Sequence, residues 1–284
     1  MHRLLLILLA GLALHSNIAL AIVNGEIKSE FDQPEIIRLI LVPADEEMNP
    51  DSLHHYGRCS GVAISESIVL TAGHCILDEE NRYVPHMVRS IKQNQFEIIK
   101  SVNSKTEFIP EEIILIPQIG PVPGCSLGVK PLFETKTLDI ALLKFPKKTF
   151  KSFLPIDTFY SFTPNSVVEL FGFGSKISSF ASPLPLPRIN TNDLGSTQAQ
   201  VMRSGHNRLA TISNVSKGFA DTGDSGGPVI ANQKVIGILN TVEEKCETEF
   251  GEDYAILNSF TLISSQRVLD WILKNTAGLI RESI

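Results

Sequence analysis

No run of lysine or arginine stands out in this chain of 284 residues, and the formal net charge is -6. Without a basic stripe there is nothing to draw a phosphate backbone, which excludes nucleic acid as a main partner. Helical periodicity is just as scarce. Short β-branched and apolar runs recur instead, broken by Pro, Gly, Asn or Ser, in the pattern of an all-β protein. His54, His55, His86 and His206 lie in polar stretches, and no pair of them has the spacing of zinc ligands, so neither a metal nor another cofactor is expected. No internal repeat is visible. At 43% hydrophobic and 20% charged, the composition is that of an ordinary soluble protein, with enough apolar residues for one large core or two small ones.

Long hydrophobic runs are also missing, except at the start. There His2-Arg3 precedes an apolar run from Leu4 to Leu14, and Ala19-Leu20-Ala21 has the small-x-small pattern of a cleavage site. Residues 1–21 are therefore expected to be a secretory signal peptide. An uncleaved anchor is the alternative, but the run is short for a membrane span. No Cys follows the cleavage site, which argues against a lipid anchor. The mature chain would begin at Ile22 and be secreted, to the medium or to a periplasm, with no membrane association once the signal is gone. Export makes the four cysteines (59, 75, 125 and 246) candidates for disulfides, and spacing alone does not choose among the three pairings.

Along the mature chain, residues 36–42 read as a strand and the acidic, Pro-containing residues 43–50 as a loop. Between Cys59 and Cys75, two apolar runs joined by Ser65-Glu66-Ser67 suggest a hairpin. A hairpin brings its ends together, so a Cys59–Cys75 bridge is geometrically natural and would steady the adjacent His74. Asp139 stands beside Ile140-Ala141-Leu142-Leu143, a run apolar on both faces, where a buried carboxylate needs a partner. The segment from Thr222 to Val229 sets Ser225 among three glycines. Such a Ser is ordinarily a turn residue. It becomes a nucleophile only if the chain also supplies a base, an orienting acid and donors for an oxyanion.

Three blocks supply that context. Ile22-Val23-Asn24-Gly25, the run from Cys59 through Ala72-Gly73-His74-Cys75, and Gly223-Asp224-Ser225-Gly226-Gly227-Pro228 together resemble the trypsin/chymotrypsin family of serine endopeptidases, in the family's order. Asp139-Ile140-Ala141-Leu142-Leu143 matches the family's third block, and Val167–Gly174 resembles the strand opening its second barrel, with Phe173 where Trp is usual. The resemblance covers nearly the whole mature chain. It implies two six-stranded antiparallel β-barrels closed by a C-terminal helix, here within residues 265–275. The first barrel, with His and Asp, would span 22–155, and the second, with Ser, 156–284.

The same resemblance implies a secreted, monomeric endopeptidase acting on proteins or peptides through an acyl-enzyme. Ser225 would be the nucleophile, His74 the general base and Asp139 its orienting acid, with the N–H groups of Gly223 and Ser225 forming the oxyanion hole. In the family, a freed Ile-Val amino group buries itself against the Asp before the nucleophile. Here the pair would be Ile22 and Asp224, so signal removal itself would yield the active form.

The chain also departs from the family. Asp221 stands where a pocket-side Cys is usual, which leaves Cys246 without its usual partner. Either a Cys125–Cys246 bridge or two free thiols fits the sequence. Phe219 occupies the pocket-floor position that carries Asp in trypsins, and Asn240-Thr241-Val242 replaces a Ser-Trp-Gly-like wall. Phe219, Asn240 and Val242 together imply a restricted pocket for small-to-medium apolar residues. An acid, Asp221 or one within 243–253, would be the means of restoring basic specificity. A catalytically weak or inactive binding protein on the same fold is the alternative function. The literal G-x-S-x-G at 223–227 also fits an α/β-hydrolase elbow, but the order His74, Asp139, Ser225 and the β-rich pattern argue against that class. Asn214-Val215-Ser216 is a glycosylation sequon if the source glycosylates exported proteins.

Overall fold

Short β-branched runs that end in turn residues cannot bury a helical stripe, but they can pair with one another. The computed structural model shows them doing so. It describes residues 22, 25–28, 32–47, 49, 56–77, 82–92, 95–98, 109–116, 138–161, 163, 165–174, 194–202, 208–214, 218–247, 254–276 and 280; for strand residues 27, 89–92, 95–98, 202, 208–210, 212–214, 241–247 and 254–257 it describes the backbone alone. The expected signal peptide, Cys125, His54, His55 and His206 lie outside the described residues. Of Asn214, Val242 and Cys246, only the strand backbone is described.

After a short β1 (Glu26–Lys28), the first sheet is built from β2 (Ile36–Pro43), β3 (Gly57–Ala63), β4 (Ile68–Thr71), β5 (Tyr83–Lys92), β6 (Gln95–Ile98), β7 (Glu112–Leu115) and β8 (Ala141–Lys144). Its order is β6-β5-β2-β3-β4-β8-β7, every pair antiparallel. The hairpin expected between the cysteines is β3–β4, in register Val62↔Leu70.

The second sheet is built from β9 (Val167–Gly172), β10 (Leu194–Met202), β11 (Arg208–Asn214), β12 (Pro228–Ala231), β13 (Lys234–Glu247) and β14 (Tyr254–Leu262). It closes on itself, because β9 pairs with both β12 and β10 at the two ends of the order β10-β11-β14-β13-β12. The expected six-stranded closure is seen here, whereas the first sheet curls through seven strands with β6 and β7 at its ends among the described residues. One detail departs from a division at 155/156. β1 lies in the second sheet, with Glu26 opposite Ser196 on β10, so residues 26–28 cross to the far barrel.

Each sheet curls around its own core. Leu39, Val62, Leu70 and Leu142 fill the first; Val168, Leu170, Val201, Val229, Ile236 and Phe260 fill the second, together with Ile22. The expected closing helix is α1 (Gln266–Thr276). It buries Val268, Ile272 and Thr276, four residues apart along one face, and that face joins the first core rather than the second. The last element thus ties the end of the chain back to the first barrel. Where the barrels meet, β2 is buried on both faces, and the Arg38 guanidinium lies 4.4 Å over the Phe173 ring. Among the described residues no helix is long and apolar enough to cross a membrane.

Candidate active site

His74 and Asp139 are 65 positions apart in the chain and meet because of one strand pair. β4 and β8 run antiparallel with Thr71 opposite Ala141, so the residues leaving β4 and those entering β8 emerge at the same end. His74 sits in a single 3-10 turn, Gly73–Cys75, just past β4, and Asp139 lies just before β8. The carboxylate grips the histidine twice. Oδ2 is 2.7 Å from His74 Nδ1, and Oδ1 accepts the His74 backbone N–H at 2.8 Å. Asp139 is buried, whereas 35% of the His74 side chain remains exposed. Bonding of Nδ1 to an acid orients the ring with Nε2 outward.

The Cys59–Cys75 disulfide, with Cα atoms 6.2 Å apart, anchors this turn to β3. Its sulfur at Cys75 is 4.0 Å from His74 Nε2 and 3.7 Å from the Ser225 carbonyl oxygen. Cys59, His74 and Cys75 cluster closely enough to suggest metal ligands. Both sulfurs are spent in the disulfide, however, and a metal needs the thiolate.

The Ser225 turn faces this pair from the second barrel. Its backbone donors are nearly all used. The Asp221 N–H bonds to Asp224 Oδ2, Thr222 to Asp221 Oδ1, Asp224 to the Asp221 carbonyl, Gly226 to the Leu239 carbonyl and Gly227 to the Asp224 carbonyl. Among the described residues, the N–H groups left without an acceptor in this run are those of Gly223 and Ser225. Gly223 has φ +96°, a left-handed conformation in which a Cβ would press on the Gly174 backbone. Gly226, at φ +83°, lies where a side chain would collide with the Ser60 carbonyl and Thr71 Oγ1.

Asp224 is fully buried. Its carboxylate accepts the N–H groups of Gly174 (2.7 Å) and Asp221 (2.9 Å), and it occupies space that side chains at Gly172 and Gly174 would need. Burial pushes its carboxyl well above the ordinary range; the two N–H bonds oppose the shift, and the nearby Asp221 charge adds to it. No cation is among its hydrogen-bonding partners in the described residues. Ile22 is completely buried in the second core, and its carbonyl accepts the Gly25 N–H at 2.9 Å.

Ser225 Oγ donates to the Asn240 carbonyl at 3.0 Å, so in this structure the hydroxyl is turned toward β13 rather than toward His74. The Asn240 side chain is fully buried. With its amide nitrogen set toward the carbonyls of Ile238 (2.8 Å) and Asp139 (3.2 Å), and its oxygen accepting from Thr261 Oγ1 (2.9 Å), both ends of the amide are satisfied. Asn240 thus joins the Asp139 backbone to the strand beside Ser225.

Of the three expected pocket residues, Phe219 is 1% exposed and Asn240 is buried, while Val242 is described by its backbone alone, opposite Asn258 on β14. Asn258 is a residue that sequence reasoning missed. It accepts the Ala220 N–H (3.2 Å) and donates to the Ala220 carbonyl (3.1 Å), which clamps the segment after Phe219 to β14. An Asn flanked by Leu257 and Ser259 in a strand signals a buried polar role, but nothing in the sequence names its partner. Asp221 is buried and receives the Thr222 N–H and hydroxyl.

A histidine–carboxylate pair at the junction of two β-barrels, facing a glycine-bound Ser, is an arrangement consistent with serine-protease chemistry. Comparison with known proteins agrees. Residues 49–272 match the model of the Trypsin family, and the chain belongs to that family. Chymotrypsin-2 of Vespa crabro is 28% identical over 221 residues, covering 76% of this chain and 88% of that protein. Among solved structures, the chain is similar to a scabies mite inactivated protease paralogue, with TM-score 0.57 and 17% identity over 89% of this chain and 98% of that one.

Proposed function

We propose that this chain is a secreted serine endopeptidase in which Ser225, His74 and Asp139 carry the reaction. The observation behind the reading is the two-point grip of Asp139 on His74, which orients the ring so that Nε2 acts as the base. In this reading the Ser225 side chain turns away from the Asn240 carbonyl to give its proton to that nitrogen. Oγ then attacks the scissile carbonyl, and His74 takes its proton. His74 returns the proton to the leaving amine, and water repeats the sequence on the acyl-enzyme. The two N–H groups without acceptors, at Gly223 and Ser225, are the donors for the oxyanion; losing one such donor typically costs about 10²–10³-fold.

Asp224 is the latch for a free Ile22 amino group. A buried carboxyl with two N–H donors and no cation among the described residues is an unfinished ion pair, and Ile22 already lies in the neighbouring core. The pocket takes small-to-medium apolar residues, because apolar Phe219 stands where a long cationic side chain would need an acid. The two barrels divide near 155/156, with the opening residues of the chain lodged on the second.

The test is labelling by a small phosphonate serine-hydrolase probe on protein whose first residue is Ile22, with Ser225→Ala as control. Labelling of the parent alone is expected. Its absence favours the second reading, a binding protein on the protease fold. Two observations favour that alternative: the Ser225 hydroxyl engaged with Asn240, and the similar structure whose description is an inactivated paralogue.

A further inference from the structure

The two residues whose N–H groups are unused have their carbonyls held by a single residue of the opposite barrel. Ser60 on β3 is completely buried, and all of its polar groups are engaged. Its N–H donates to the Ser225 carbonyl at 2.8 Å. Its hydroxyl donates to the Gly223 carbonyl at 3.0 Å and accepts the Phe173 N–H at 2.9 Å. Its own carbonyl accepts from Thr71 Oγ1 at 2.7 Å, which fixes Ser60 against β4.

We propose that Ser60 is a positioning residue for the oxyanion site, its hydroxyl setting the Gly223 backbone so that the Gly223 N–H faces the reacting carbonyl. This rests on the protease reading above. The physical case is a matter of freedom. Glycine is the residue whose backbone rotates most readily, and Gly223 sits at φ +96° with no side chain to restrain it. Its Cα is backed by Gly174, and the peptide that follows it is pinned by the Ser60 hydroxyl. The peptide after Ser225 is pinned by the Ser60 N–H, so the turn is clamped at both ends from one point. The same hydroxyl takes the Phe173 N–H, one residue before Gly174, whose own N–H holds Asp224. One buried oxygen therefore links β9 to the turn and sets their spacing. An alanine here removes that link and leaves a buried donor and a buried acceptor unsatisfied, while the N–H bond to Ser225 persists.

The test compares the parent, Ser60→Ala, Ser60→Thr and Ser60→Cys, all beginning at Ile22. A peptide ester substrate gives kcat and KM. A peptide boronic acid, which forms a tetrahedral adduct with Ser225, gives affinity for the oxyanion geometry. Ser60→Ala is expected to lower kcat about 10- to 100-fold with KM within about 2-fold, and to weaken the boronate by a similar factor; losing a single oxyanion donor outright sets the upper bound. Ser60→Thr, which keeps the hydroxyl, should recover most of both. Ser60→Cys fills the same space with a weak donor and should fall between, which keeps the test usable if the alanine variant does not fold. A uniform loss of active protein, with kcat per phosphonate-titrated site and boronate affinity unchanged, overturns the proposal. A parent that the phosphonate does not label overturns the protease reading instead.

Discussion

The two sides of the cleft are held by different kinds of force. On the His74 side, the covalent Cys59–Cys75 bridge and the β4–β8 pairing fix the turn, and an apolar core of Leu70, Leu142 and their neighbours backs both strands. On the Ser225 side, buried polar groups do the holding: Asp224 on two N–H donors, Ser60 on two carbonyls, Asn258 on Ala220 and Asn240 beside Asp139. Apolar packing tolerates small errors, whereas a buried polar group without its partner costs about 1–3 kcal/mol. One side is therefore built for permanence. The other is conditional on every partner being present.

The comparison sharpens most at the reacting groups. Ser225→Ala should lower kcat by about 10⁶-fold, and Asp139→Asn by about 10⁴-fold, because the asparagine favours the wrong His74 tautomer. Pre-steady-state and steady-state assays on an activated ester measure both. If the Asp139 variant loses less than tenfold, the His74 side is not a rigid partner.

The next effect concerns conditionality. Protein with one extra residue before Ile22 should be about 10²–10³-fold less active than protein beginning at Ile22, since the oxyanion turn loses its latch. Its stability should also respond to pH with a definite sign. Burial raises the Asp224 carboxyl above its ordinary value of 3.8, so the extended protein takes up a proton on folding. Relative stability is then fullest below the unfolded value and falls as pH rises through the folded one. In protein starting at Ile22, the ammonium partner offsets that loss. The amine's own pKa should rise above its reference of about 7.7–8.0 on pairing, so its contribution is complete below that reference and lost as pH climbs through the raised value. Thermal melts of the two forms between pH 4 and 9 should diverge with rising pH and converge again at the alkaline end. Parallel curves would remove Asp224 as the latch.

Replacing Cys59 and Cys75 together with Ser should cost about 3 kcal/mol of stability by denaturant titration, the value for a loop of this size. It should disturb the His74 side more than the Ser225 side. The smallest effect is expected at the pocket. Asn258→Ala should cost about 1–3 kcal/mol by leaving the Ala220 N–H and carbonyl unsatisfied, and should broaden the residues accepted next to the scissile bond. A profile of peptide substrates differing at that residue measures the broadening. An unchanged preference would detach Asn258 from specificity.

Much of the fold was legible because its signals are local. The strand at 36–42, the hairpin between the cysteines and the helix with Val268 and Ile272 four apart emerge with nearly the expected bounds. The placement of β1 was not legible. Three residues, Glu26-Ile27-Lys28, carry no mark of which sheet they will join, and only the β10 edge decides it. At the site, the Gly-Asp-Ser-Gly-Gly turn announces itself because its backbone demands glycine at positive φ. Ser60 and Asn258 do not, because a Ser after a Cys and an Asn in a strand are common and harmless in isolation.

By itself, the sequence determined the pieces: a glycine-bound Ser, a His beside a Cys, and an acid against an apolar strand. The local chemistry of each needs particular residue types at short spacing, and such patterns survive in one dimension. Only the tertiary structure decided which groups serve which. Ser60 reaches Gly223 across 163 positions, and Asn258 reaches Ala220 across 38. Those pairings follow from strand register and the meeting of two barrels, and the energy that enforces them is the cost of leaving a buried polar group unpaired.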